Sequence, residues 1–289
     1  MTDRNAAAAV PPPVLSWFRL ALLAAGTGAL CLFAVFPFYW MIVTSIRPSG
    51  ELFSYPPQIL PSAESVFAAY GEIFASSELA LWLWNSVKVA TGTATIAVFV
   101  AALTAYALSR FDFRGKTLAE GLLLASQMFP GILLALPMYV VFKTLGLLDD
   151  LAGLTLAYLA FLIPVATTLL KGFFDSIPQA LEEASLVDGA SRLGTFFRIT
   201  LPLSLPGLAA TFLFCLIIAW DEFLFARMFI QRPDNWTVSL GLSSFSGEFV
   251  TPWDQVMAAA VVITLPVAIV FLFLQRYLVR GLTAGGVKG

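Results

Sequence analysis

The sequence predicts an all-α membrane protein with six transmembrane helices, on three observations. Of 289 residues, 59% are apolar and 12% charged, against roughly 45–50% and about 25% in soluble domains. Mean hydropathy is +0.87, and so few charged side chains do not cover a water-exposed surface. Six runs of at least 20 residues contain no Asp, Glu, Lys or Arg, and about 20 apolar residues cross the hydrocarbon core as a helix.

Residues 1–18 are expected to form a flexible cytoplasmic tail, since Pro11–Pro13 follow an alanine run. Residues 19–289 then form one transmembrane domain. The first run, Leu20–Ile46, is too long for a signal-peptide core and lacks a small-residue cleavage site followed by a soluble domain, so it reads as a retained span. Val89–Ser109, Gly121–Phe142, Leu151–Leu170, Ile199–Trp220 and Gln255–Gln275 follow. Pro37, Pro130, Pro137, Pro164 and Pro266 fall inside runs, with Pro202 and Pro206 at the entry to the fifth. Kinks are expected there.

Lys and Arg orient the spans. With the N-terminus inside, eleven of the 16 basic residues lie on the cytoplasmic side. Only Arg47, Lys88, Lys143, Arg227 and Arg232 lie outside. Both termini of this multi-pass protein are thus expected in the cytoplasm.

Composition excludes several chemistries. Histidine is absent, so there is no His base and no His-ligated metal site, and two apolar-flanked cysteines build neither a disulfide framework nor a zinc site. A net charge of −2 offers nucleic acid no footprint. Arg114-Gly115-Lys116-Thr117 invites a phosphate-loop reading, but Arg110 stands where the loop needs its first glycine. Asp221 and Glu222 are adjacent, so on a helix they diverge rather than pair, and they are expected to cap the fifth span. No catalytic residue and no metal ligand are assigned.

The long cytoplasmic segment 171–198 is patterned. Ser176 and Gln179 fit a capping box, with Pro178 in a first turn. Ala180, Leu181, Ala184 and Val187 form an apolar stripe, while Gln179, Glu182 and Glu183 face elsewhere. Gly189 supplies a stop suited to positive φ, and Asp188 or Ser191 can cap a second short helix. Such a helix–turn–helix either rests on lipid or docks a partner.

Glu183-Ala184-Ser185, Asp188-Gly189-Ala190, Ile199 and Leu201-Pro202 resemble the EAA signature of ABC-importer permeases, with Ser185 where the family prefers alanine. Trp220-Asp221-Glu222-Phe223, Asn85-Ser86, Ala105–Arg110 and the glycine-rich ending at Gly289 resemble the carbohydrate-uptake, maltose-type branch. The resemblance spans nearly the whole chain and implies the six-helix importer-permease (MetI-like) fold. It also implies an ATPase-coupling set: Glu182, Glu183, Ala184, Ser185, Asp188, Gly189, Ala190 and Ser191. The implied partners are a second permease subunit, two ATP-binding subunits that hold ATP and Mg, and an extracytoplasmic sugar-binding protein. Gly247, Glu248, Phe249, Val250 and Thr251 are the implied contacts to that binding protein. The adaptable tail Arg280–Gly289, a poor helix by its glycines, is implied to reach the ATPases.

Inside the spans, Gln127, Tyr158 and Trp220 are substrate-path candidates, because sugars stack on aromatic rings and bond amides. Tyr106 is placed instead in an interfacial aromatic belt. The importer reading expects an oligosaccharide or disaccharide as solute; a polyol or a glycerophosphate-type solute is the alternative within it. The rival class is an ion-gradient-driven secondary transporter, which usually carries ionisable groups within its spans. The six charge-free runs weigh against it.

Overall fold

The computed structural model describes residues 17–55, 67–76, 78–245, 247 and 251–286, with side chains described through residue 277. In order, α1 is Trp17–Ser45, α2 Ala68–Ser76, α3 Leu79–Arg110, α4 Lys116–Met128, α5 Gly131–Thr144 and α6 Leu151–Asp175. Then come α7 Gln179–Val187, α8 Arg192–Thr195, a π turn at Phe196–Thr200, α9 Leu201–Leu203 and α10 Leu205–Asp221. The chain closes with α11 Leu224–Phe229, α12 Val238–Ser244 and α13 Trp253–Gly286.

Among the described residues, four helices (α1, α3, α6 and α13) are long and apolar enough to cross a membrane unbroken. The third and fifth charge-free runs are bent instead: α4 and α5 meet at 99°, and the arms 192–203 and 205–221 at 76°. Counting each bent pair as one span gives six. The break between α4 and α5 has a local cause. Phe129 precedes a proline and is extended at ψ 123°, and Pro130 is extended at ψ 123° as well. The proline ring disfavours helical backbone in the residue before it. Pro37, Pro137, Pro164 and Pro266 lie within continuous helices.

The core is the α3–α6 pair, crossed by α10. On α3, Ala90, Ala94, Ala97, Ala101 and Ala105 recur at helical spacing and are buried. This seam of small side chains lets backbones approach closely, the packing available where lipid is as apolar as leucine. Leu154, Ala157, Ala166 and Leu170 of α6 are fully buried with them. At Gly207, where α10 passes α6, a Cβ would sit 2.4 Å from the Phe173 ring, so this approach requires glycine. By contrast α1 buries only Val43, Thr44 and Ser45, at its end. There Ser45 donates to the Ile42 carbonyl at 2.7 Å and bonds the Tyr70 hydroxyl at 2.8 Å.

One expectation about the C-terminal segment is corrected. The backbone expected to be extended from Arg280 is helical through Gly286. Extending a long helix adds one hydrogen bond per residue with no nucleation cost, which outweighs the glycines' poor propensity. Of the tail expected over residues 1–18, residues 1–16 lie outside the described residues, while Trp17 and Phe18 already belong to α1.

Candidate functional site

The α7–α8 segment forms the helix–turn–helix read from the sequence. Ser191 Oγ accepts from Gly194 N at 3.1 Å and caps α8. Gly189 takes φ +88°, with the Ala190 amide bonded back to the Ser185 carbonyl at 3.1 Å, as a left-handed helix stop requires. The capping box does not form. Pro178 occupies the N-cap without a side-chain cap bond. Ser176 Oγ instead donates to the Phe173 carbonyl at 2.6 Å, closing α6.

Glu182 also departs from its expected place on the polar side. It turns inward and is buried, its side chain 8% exposed beside an equally buried Arg110. Arg110 Nε donates to Glu182 Oε1 at 2.8 Å, Thr200 Oγ1 to the same oxygen at 2.9 Å, and the Tyr106 hydroxyl to Oε2 at 3.1 Å. Arg110 Nη2 donates to the carbonyls of Phe174 and Ile177, and Nη1 to Ser109 Oγ. The carboxylate thus fastens α7 to the end of α3 and to the π turn, and Arg110 extends the tie to the end of α6. Burying two charges is costly, and good geometry with further hydrogen bonds is what offsets it. Both conditions are met.

Tyr106 therefore belongs to this hub and not to an aromatic belt. Its ring packs on Phe196 at 4.7 Å between centroids and edge-on to Phe111 and Phe174. With Glu182 turned inward, the apolar stripe faces outward: Ala180, Leu181 and Ala184 are exposed, and Val187 is 87% exposed. Glu183, Asp188 and Ser191 are exposed beside them, while Ser185 and Ala190 are half-buried. Ser185 Oγ bonds Thr195 Oγ1 at 3.1 Å, holding α7 to α8. The segment presents an apolar ridge on a rigid footing. A shared role for Arg110, Thr200 and Ser109 at this hub was not expected from the sequence. The available signal was that Tyr106 and Arg110 lie four apart and share a helix face.

Among the described residues, Tyr158 and Trp220 line two different cavities, and Gln127 lines neither. Gln127 is exposed near the α4–α5 break and donates to Thr168 Oγ1 and the Leu123 carbonyl, both at 3.0 Å. Tyr158 is buried and lines a cavity of about 180 Å³ with Gly131, Phe161 and Glu222. Trp220 lines a different one of about 340 Å³ with Asp221, Ser239 and Thr264. Glu222 stands at the C-cap of α10, and its carboxylate caps the start of α11, accepting from Phe225 N at 2.9 Å and Ala226 N at 3.1 Å. Of the expected binding-protein contacts, Gly247 is exposed and Thr251 half-buried; Glu248, Phe249 and Val250 lie outside the described residues.

At the opposite end, the α5–α6 turn is tied to the loop before α12. Asp149 sits at φ +56° and its Oδ1 accepts from Gln231 N and Arg232 N. Burial opposes its ionisation, but the Arg232 and Gln231 amides and the Arg232 charge outweigh that and hold its carboxyl below the ordinary value. Asn85 Nδ2 donates to the carbonyls of Asp234 at 2.8 Å and Trp236 at 3.1 Å, and Ser86 Oγ accepts from Val238 N at 2.8 Å. The Asn85-Ser86 pair thereby anchors that loop to α3.

Residues 94–284, from mid-α3 almost to the end of α13, match the family model described as "Binding-protein-dependent transport system inner membrane component". The chain belongs to that family. As an inner membrane component of this type, it is a permease of an ABC importer, and the ion-gradient rival is set aside. The sulfoquinovosyl glycerol permease SmoH of Agrobacterium fabrum is 37% identical, covering 88% of this chain and 89% of that protein. The trehalose/maltose permease MalG of Thermococcus litoralis is 35% identical over 93% and 96% respectively. A bacterial ABC transporter involved in alginate import shares the fold, with TM-score 0.74 and 24% identity over 93% of this chain and 99% of that one. The inner membrane component's family match includes the hub from Ala105 through Thr200 and the turn at Gly189.

Proposed function

We propose that this chain is the transmembrane subunit of an ATP-driven importer for carbohydrates or glycosides. It receives solute from an extracytoplasmic binding protein and forms half of the path with a second permease subunit. It is coupled to two ATPase subunits, which bind ATP and Mg, through α7 and α8. The solute class rests on the relatives, whose names specify a sulfoquinovosyl glycerol and a trehalose/maltose permease. One observation carries the coupling: an exposed apolar ridge on α7 is backed by a buried ion pair, so a push on the ridge moves the ends of α3 and α6. A ridge resting passively on lipid has no need of that footing. Both termini then lie in the cytoplasm.

Gly189→Asp tests this reading. No atom lies within 4 Å of a Cβ there, so the strain comes from φ +88°, about 1–2 kcal/mol for a non-glycine residue. The expected outcome is a protein that still inserts but releases its ATPase subunits during purification, with sugar uptake falling in the same cells. Normal retention together with normal uptake would count against coupling through α7.

A further inference from the structure

Five charged side chains, alternating in sign, run in a line from α7 to α4 through α3 and α6. Glu182 pairs with Arg110 at 2.8 Å. Arg110 Nη1 donates to Ser109 Oγ at 2.9 Å, and Ser109 Oγ donates to Asp175 Oδ1. The other Asp175 oxygen takes Lys171 Nζ at 2.8 Å, and Lys171 reaches Glu120 Oε1 of α4 at 3.5 Å. The outer half of the line borders a cavity of about 300 Å³ lined also by Leu123, Thr167 and Thr168.

The line ends on α4, the arm that adjoins the proline break. Extended backbone at Phe129 and Pro130 interrupts the helix between α4 and α5, leaving a 99° bend. The same arm carries Gln127, bonded to Thr168 of α6. Coupling between distant sites needs a contiguous network ending on an element with two arrangements. A helix arm joined to the rest of its span through a proline break can supply such an element.

We propose that this ionic line conveys the position of α7 to the broken span, with Lys171 as the positioning residue that joins α6 to α4. The proposal rests on the importer reading above. The Lys171 side chain is 29% exposed, and ion pairs open to solvent contribute little to stability.

The experiment uses the intact transporter with its own ATPase subunits and binding protein, reconstituted in lipid nanodiscs. ATPase rates are measured with and without solute-loaded binding protein. In Lys171→Met, subunit retention and the basal rate should stay at wild type while stimulation falls about fivefold or more. Lys171→Arg should restore most of it. Glu120→Gln should lower stimulation alone but add nothing in the Lys171→Met background, since both cut one line.

Undiminished stimulation in Lys171→Met, an equal fall in both rates, failure of Lys171→Arg, or additive losses would each overturn the line alone. A wild-type chain that retains no ATPase subunit would overturn the importer reading, and the line with it.

Discussion

Glu182 and Glu183 are neighbours of the same residue type with opposite fates. One is buried among Arg110, Tyr106 and Thr200; the other is exposed. Helical geometry separates them by about 100°, and whichever one faces Arg110 is drawn inward. Removing it leaves a guanidinium buried without its counter-ion, a loss of about 3–5 kcal/mol. Glu182→Ala should therefore lower the melting temperature and membrane yield sharply. Glu182→Gln, which keeps an acceptor for Tyr106 and Thr200, should lose less. Thermal unfolding of the purified chains in detergent checks this, and a Glu182→Ala protein as stable as wild type would contradict the hub. The two glutamates are adjacent in the EAA-like segment, and sequence patterning put both on one polar side. The distinction needed α3, which lies about 70 residues away.

At the scale of elements, short polar contacts add to apolar packing in securing the loops at the α5–α6 turn and before α12. The α5–α6 turn holds Gln231 and Arg232 through Asp149, and α3 holds the following stretch through Asn85 and Ser86. Asp149 is depressed below its ordinary value of 3.8. Its stabilising contribution is thus fully present above that value and is lost as pH falls below it towards the folded value. Asp149→Asn isolates the charge, because asparagine also tolerates positive φ. The variant should melt below wild type at neutral pH, and the gap should close as pH falls below the ordinary carboxylate range. A gap that is constant with pH would show that the charge is not involved. The Asn85-Ser86 pair was visible in the sequence as a family-like feature. Its role was not, because its partners are carbonyls and an amide roughly 150 residues distant.

For the whole molecule, α1 is nearly unburied along its spanning length, while α3 and α6 are buried for half of theirs. The single chain therefore leaves apolar surface on α1 to be covered by lipid or by a partner. Topology is the property on which every functional assignment depends. In a chain with Cys31 and Cys215 replaced by alanine, a cysteine at Ser191 should label only from the cytoplasmic side. One at Arg232 should label from outside intact cells. Labelling of Ser191→Cys from outside would reverse the orientation and remove α7 from any ATPase.

Composition and charge-free run lengths alone determined that the chain is helical and membrane-embedded, since the bilayer's thickness and its lack of hydrogen-bonding partners leave few alternatives. The same local information placed the stop at Gly189 and narrowed the cap of α8 to Asp188 or Ser191, because turn and cap geometry depend on residues a few positions apart. Tertiary structure decided what each helix face meets. It turned Glu182 inward, exposed Val187, moved Tyr106 from a belt into a hub, and held Gln127, Tyr158 and Trp220 apart. The physical reason is that a carboxylate's place is set by the nearest available cation and hydroxyls, and here those arrive from α3 and the π turn, far away in the chain.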